Sequence, residues 1–477
     1  MSTTDIPTAQ LPTAEPAPLR RNRDFRLLWT GTAFSSLGSQ VSTFAYPLIV
    51  LWSGGSVSEA GLTGAAASLP QLLFSLFAGV MVDRFDRRRL MIGCNLGRAA
   101  ALAVLVATML SGRVILPLLL AVAFVEASLT VVYKLAEHSA VRNVVESEHL
   151  SQAISQNEAR VQGAGLLGQP LAGALSSLTA WLPLLFTVVS HLVSLVTLSG
   201  IKRKFQAERE PDAERPKVLT DISDGVRWLW NHRQLRAAAV LVAVSNMLFE
   251  VLVLGMLTTL RDNGAQQAVV GLVMGAAGVG GVAGALSTNW WMERLRLPVI
   301  VIGANAAWTV LFPLAVFLKN PLLFGLVITP MAFIGAMWTI AVVSFQVEIT
   351  PDEMQGRIAS VIGIVAFGTL PLGALIGGYT LQAFGFRTSV LACSVVMLLL
   401  TLAAVASPSL RRIGSELRER ADQEQPAAAA DEPAADEPAP AESAAPAEPA
   451  ATAAQAEPAE AEPAGTFDAP TPTPAGK

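Results

Sequence analysis

Gly79-Val80-Met81-Val82-Asp83-Arg84-Phe85-Asp86-Arg87-Arg88-Arg89 sets two acids and four arginines between two apolar stretches, 60–82 and 90–110. Each stretch has the ~17–25 residues that a helix needs to cross a bilayer, so the charged run reads as a tight turn between two membrane helices. Counting outward gives apolar spans near 27–52, 60–82, 90–110, 114–136, 153–177, 181–201, 236–260, 268–288, 298–318, 321–345, 357–383 and 387–408. With 52% hydrophobic and 15% charged residues in 477, and a mean hydropathy of +0.50, the chain is too apolar for a soluble protein. The expected fold class is all-α: a polytopic membrane protein of about twelve transmembrane helices in two six-helix halves.

Charge fixes the expected orientation. Placing both termini in the cytoplasm leaves only Arg113, Arg261, Lys319 and Arg387 of the 33 Lys/Arg in outward loops; Arg98 falls within a span and 28 bases are assigned inside. That imbalance satisfies the positive-inside rule, with Arg20-Arg21-Asn22-Arg23, Arg87-Arg88-Arg89 and Lys202-Arg203-Lys204 as the deciding clusters. The expected divisions are a cytoplasmic N-terminal tail (1–26), a first half (27–201), a cytoplasmic central loop (202–235), a second half (236–408) and a cytoplasmic tail (409–477). The first 19 residues are Thr/Pro-rich without an apolar core, so no cleavable signal peptide is expected. From Asp422 onward twelve acids face one base, Lys477, in an Ala/Pro/Glu string; without it the body carries +7. A string so poor in bulky apolar residues is expected to be disordered. Cys94 and Cys393 lie far apart in apolar runs and are expected to pack rather than pair.

The halves look alike. Gln169-Pro170-Leu171-Ala172-Gly173-Ala174 is echoed 201 positions later by Leu370-Pro371-Leu372-Gly373-Ala374-Leu375, and a parallel repeat of this kind is a transporter architecture with the substrate between halves. The opening segment resembles the signature loop of the major facilitator superfamily, G-x-L-A-D-R-x-G-R-K-x-x-L. Gly79, the Asp83-Arg84 pair and the bases Arg87 and Arg88 match in register; Asp86 replaces a glycine, and Met81 and Met91 replace leucines. The resemblance implies a gating loop that latches the halves in one state of an alternating-access cycle. Gly165, Pro170 and Gly173 partly match the G-x-x-x-G-P-x-x-G-G segment of exporters and antiporters in the same superfamily, with Gln169 and Ala174 in place of glycines. Asp24-Phe25-Arg26-Leu27-Leu28-Trp29 and Gly225-Val226-Arg227-Trp228-Leu229-Trp230 are similar to macrolide-efflux and siderophore-exporter relatives. Gly278-x-Gly280-x-x-Ala283 lacks a preceding strand and reads as helix packing, as do Gly271/Gly275 and Gly280/Gly284.

Glu126 and Glu250 stand alone at membrane depth, where a charge costs at least ~2.5 kcal/mol and therefore marks an ion or substrate pathway. If the resemblance holds, they fall on the cavity-lining fourth and seventh helices. Glu126, Thr130, Tyr133 and Glu137 share one helical face, Asn246 and Glu250 another, and Ser36, Gln40 and Thr43 a third. Gln40, Thr130, Tyr133 and Asn246 are the cavity candidates. Glu250, Glu126 and Arg98 are the proton-coupling candidates; Arg98 reaches a depth similar to that of Glu126, so the two could instead form a buried ion pair that holds helices together. Glu250 has no cationic partner in sight, which makes it the better proton carrier; His191 is a weaker one, read first as a packing residue.

The four histidines have no metal-ligand spacing, and no P-loop is present. The chain is expected to be no enzyme and to use no metal or cofactor. The resemblance implies a proton-coupled exporter of a small amphiphilic organic molecule in the cytoplasmic membrane, acting as a monomer, its partners being the lipid bilayer, protons and substrate rather than nucleic acid. Two cavity carboxylates favour lipophilic cations or neutral amphiphiles. An anionic siderophore or a lysolipid needs an unpaired base, which only Arg98 offers. A membrane-anchored sensor or scaffold using the acidic tail is the alternative of another class.

Overall fold

The computed structural model describes residues 19–145, 147–201, 205 and 218–413. Lys202-Arg203-Lys204, Glu146, the first 18 residues and the acidic tail lie outside the described residues, as does the side chain of Asp83. Among the described residues there is no strand. The first half comprises α1 (Arg23–Trp52), α2 (Val57–Arg84), α3 (Arg87–Leu110), α4 (Leu116–Val144), α5 (Leu150–Leu178) and α6 (Leu182–Ser199). Then come α7 (Val218–Asn231), α8 (Arg233–Asp262), α9 (Gln267–Arg294), α10 (Leu297–Ala315), α11 (Pro321–Ile349), α12 (Asp352–Gly368), α13 (Leu370–Ala406) and the short α14 (Pro408–Arg411).

Eight of the described helical stretches are apolar and long enough to cross a membrane. The last, Met354–Ala406, turns at Gly385, whose φ of +76° suits a residue without Cβ. It therefore supplies two crossings. The helices α1, α2 and α5 pack among the others and complete the twelve: α1 against α5 and α6, α2 against α4 and α13, α5 against α9. Local chemistry sets the ends. Ser56 and Glu59 form a reciprocal capping box at the start of α2, and Asp86 caps α3 by accepting from the Arg89 amide at 2.8 Å. The residue that departs from the signature loop thus starts a helix.

The stretch read as a central loop contains α7. Gly225 is buried against the Arg357 carbonyl and Val361 of α12, Asp224 lies 3.9 Å from Arg357, and Trp228 stacks on His232 at 3.5 Å between ring centroids.

Two crossings join the halves, and they are equivalent by symmetry. A Cβ on Gly173 of α5 would sit 2.7 Å from Gly271 Cα of α9; one on Gly378 of α13 would sit 3.0 Å from Gly61 Cα of α2. Backbones meet there because neither partner carries a side chain. This match pairs Gly173 with Gly378, 205 positions on, and corrects the 201-position echo by about one helical turn. Beside these crossings Arg261 donates to the carbonyls of Leu51 (3.3 Å) and Gly55 (3.4 Å), and the Ser58 amide donates to Gln382 at 2.9 Å. All of these ties lie toward the end of the bundle where α1 finishes and α2 begins.

Candidate functional site

The core of the first half is polar. Arg98 of α3 is 1% exposed and Glu126 of α4 is 3% exposed. Glu126 accepts from Ser42 at 2.7 Å and from Tyr46, and lies 3.7 Å from His191 Nε2 of α6. Arg98 donates to Ser35 (3.1 Å), to Asn95 (3.4 Å) and to Ser39, with its guanidinium 5.4 Å from the Tyr133 ring centroid. Ser35 also lies 3.4 Å from His191 Nδ1. Asn95 donates to Ser194 at 2.9 Å, and Tyr133 lies 3.2 Å from the same hydroxyl. A direct Arg98–Glu126 ion pair, the alternative reading of these two residues, is not formed. Equal depth does not set the direction in which a helix points its side chains: Arg98 turns to α1, and Glu126 is held by Ser42 and Tyr46 with His191 beside it.

This network ties α1, α3, α4 and α6 together, and losing a charge-assisted acceptor inside it costs about 1.5–3 kcal/mol. Glu126→Gln should therefore lower the thermal unfolding midpoint of the detergent-solubilised protein. Glu250→Gln should leave that midpoint unchanged, since no hydrogen bond is lost; equal destabilisation by both would remove the distinction.

Glu250 on α8 is half-buried and, among the described residues, makes no hydrogen bond or ion pair. The repeat locates it. Ser35 donates to Asn95 at 3.3 Å in the first half and Ser245 to Asn305 at 3.5 Å in the second, a constant offset of 210 positions. At that offset Glu250 is the counterpart of Gln40. The packing agrees: a Cβ on Gly168 would meet Gln40 Cβ at 2.5 Å, and one on Gly373 would meet Glu250 Cβ at 2.9 Å. Arg98 corresponds to Trp308, which sits among Phe249, Phe312 and Trp338 at centroid distances of 5.1–5.4 Å from its ring or Phe249's. The second half thus has an aromatic core where the first has a charged one.

Gln40 borders a cavity of about 270 Å³ between α1, α4 and α5. Ser36 and Ser39 line it, with Lys134, Glu137, His138, Glu158 and Arg160. Lys134 and Arg160 lie within α4 and α5, two bases that counting had assigned to the inner side. Arg160 donates to Glu137, and both are buried. The other cavity candidates are placed elsewhere: Tyr133 in the buried network, Thr130 donating to its own helix at Glu126 O (2.7 Å), and Asn246 donating to Ala366 O of α12 at 2.8 Å. A second cleft of about 310 Å³ lies between α2 and α12, bordered by Gln71, Ser75 and Ser360.

Arg87 and Arg88 of the signature loop are bound within their own half. Arg87 donates to the carbonyls of Ser139 (3.4 Å) and Phe205 (3.3 Å), and Arg88 to those of Leu198 (3.0 Å) and Ser199 (2.6 Å). Arg84 is exposed, and Gly79 faces Leu135 across an ordinary contact distance. On α5, Gly165 lies beside Gln40, while Pro170 and Gly173 pack against Gly275 and Gly271. Among the described residues no group of His, Cys, Asp or Glu is arranged to hold a metal.

Twelve membrane helices in two related halves, with a cavity between helices and buried charge in one half, define a membrane transporter of the major facilitator type and not an enzyme. The chain belongs to the transmembrane secretion effector family, whose model matches residues 13–436. It is 26% identical over 394 residues to the multidrug efflux pump Tap of Mycolicibacterium fortuitum, covering 79% of this chain and 93% of that protein. Macrolide efflux protein A of Streptococcus pyogenes is 23% identical over 216 residues, 45% of this chain and 53% of that one. Among solved structures, a bacterial homologue of the human lysosomal transporter Spinster, in an inward-facing and unoccupied conformation, matches with a TM-score of 0.63 at 14% identity, covering 83% of this chain and 98% of that chain.

Proposed function

We propose that this transporter exports a small amphiphilic organic molecule across the cytoplasmic membrane in exchange for protons, by alternating access. The observation that carries the reading is Glu250: a carboxyl without a partner among the described residues, at the position equivalent to a cavity-lining glutamine. A mid-membrane carboxyl that no partner holds is free to take up and give up a proton, which is what a carrier needs. Glu126, held by Ser42, Tyr46 and His191, positions helices instead. The efflux pumps among the relatives support the export direction. With both termini cytoplasmic, the ties at Arg261, Ser58 and the glycine crossings close the outer side, and the Gln40 cavity belongs to the inward-open state.

The test is proton entry into proteoliposomes challenged with lipophilic cations, macrolides and siderophores. Substrate-dependent acidification on at least one compound is expected; none with any compound would overturn coupling. Removing residues after 421 is expected to leave the flux intact. Lost signalling with transport intact on that truncation would favour the scaffold reading, in which the acidic tail recruits a basic partner.

A further inference from the structure

Arg160 is a charge whose compensation is incomplete. It is 8% exposed, and its place ten residues into α5 puts it about 15 Å from that helix's start. One guanidinium nitrogen serves Glu137, while Nε and Nη1 have no hydrogen-bond partner. Arg98, by contrast, spends both terminal nitrogens on Ser35, Asn95 and Ser39. Arg160 also borders the cavity, together with the exposed Lys134 one turn from Glu137 on α4. The remaining wall is amphipathic: Ser36 and Gln40 on one side, Ile154 and Val161 on another, with His138 and the carboxylate of Glu158 also at its border. A buried cation with spare donors, a second cation nearby and an apolar wall match an organic molecule that presents an anionic oxygen group at one end.

We infer that this cavity between α1, α4 and α5 is a substrate subsite in which Arg160, assisted by Lys134, holds a carboxylate or similar anionic oxygen group of the exported amphiphile, with Glu137 orienting the guanidinium. The inference rests on the exporter reading and adds the charge class of its substrate. It also supplies the base that an anionic cargo requires, on α5 and α4 rather than at Arg98. Glu137 fills only one of the three guanidinium nitrogens; the other two are buried, so an anion reaches them by a rotation of the guanidinium rather than by displacing Glu137.

The test uses the full chain in detergent micelles and a matched pair of probes, rhodamine B, which bears a carboxylate, and its ethyl ester, which does not. Binding is read by fluorescence polarisation. The carboxylate form is expected to bind about tenfold more tightly, the scale of one charge-assisted hydrogen bond. Because Arg160→Gln alone strands the buried Glu137, the discriminating variant is Glu137→Gln/Arg160→Gln, which removes both charges. It is expected to abolish the preference while ester affinity stays within about twofold. Lys134→Gln, at an exposed position, is expected to reduce the preference by about threefold. No preference in the wild type, no binding of either dye, or a preference that survives in the double variant each overturns the subsite. Equal affinities with dye export intact in proteoliposomes overturn the subsite alone. A preference kept without export supports the subsite and overturns the exporter reading.

Discussion

Glu250→Gln is expected to reduce substrate-driven proton entry to the level of protein-free vesicles while leaving the protein folded and able to bind substrate. The amide keeps the shape of the side chain and its packing on Gly373, but it neither loads nor releases a proton at any working pH. Flux that rises and falls with the imposed proton gradient in the wild type should become indifferent to it in the variant. The expectation is sharp because no partner among the described residues would be stranded: where Glu126 holds two hydroxyl donors and a histidine in place, Glu250 holds nothing. Coupled flux at the wild-type rate in Glu250→Gln would show that the proton travels elsewhere.

The second large effect concerns the crossings. Gly173→Ala and Gly378→Ala add one methyl group each, yet at 2.7 Å and 3.0 Å the atom met is backbone in the opposite half. Side chains give way by changing rotamer; a helix backbone does not. Overpacking of this kind costs about 1–3 kcal/mol or more, and here it is concentrated where the halves are joined. Both variants should show a lowered unfolding midpoint in detergent and strongly reduced export. Gly281→Ala on α9, where an added Cβ meets nothing within 4 Å, should be neutral or stabilising by about 0.4–1 kcal/mol. Equal effects at all three positions would mean that the crossing distances do not limit assembly.

Much of the fold was legible because a membrane helix announces itself by length and apolarity. The break between the last two spans, expected between 383 and 387, is the turn at Gly385. The repeat was visible but out by a turn: aligning Pro170 with Pro371 follows residue identity, whereas the crossings align Gly173 with Gly378. The site was read less fully. An apolar window tolerates a single charge, so Lys134 and Arg160 are counted with the inner-side bases although the spans 114–136 and 153–177 contain them, as α4 and α5 do. The Lys134–Glu137 spacing and a lone arginine in the fifth span were the available signals. Glu126 and Arg98 were recognised as buried charges at matching depth, but which neighbour each faces depends on helix rotation about its axis, and nothing in one sequence of this kind specifies that. α7 was hidden for the opposite reason, being too polar to register as a span and too short to count as more than a loop.

The contrast between the two cores bears on how the protein is made. In the second half, Phe249, Trp308, Phe312 and Trp338 meet through apolar surface, so α10 and α11 suit lipid before they meet, while α8 carries Glu250 as its one mid-membrane acid. In the first half, α3 and α4 carry an arginine and a glutamate whose partners are divided between α1, already synthesised, and α6, not yet synthesised. Those helices are poor lipid-dwellers alone. The hydroxyls of Ser35, Ser39, Ser42 and Tyr46 on α1 are in place before α3 and α4 emerge, so the first half is expected to gather around α1 as a group.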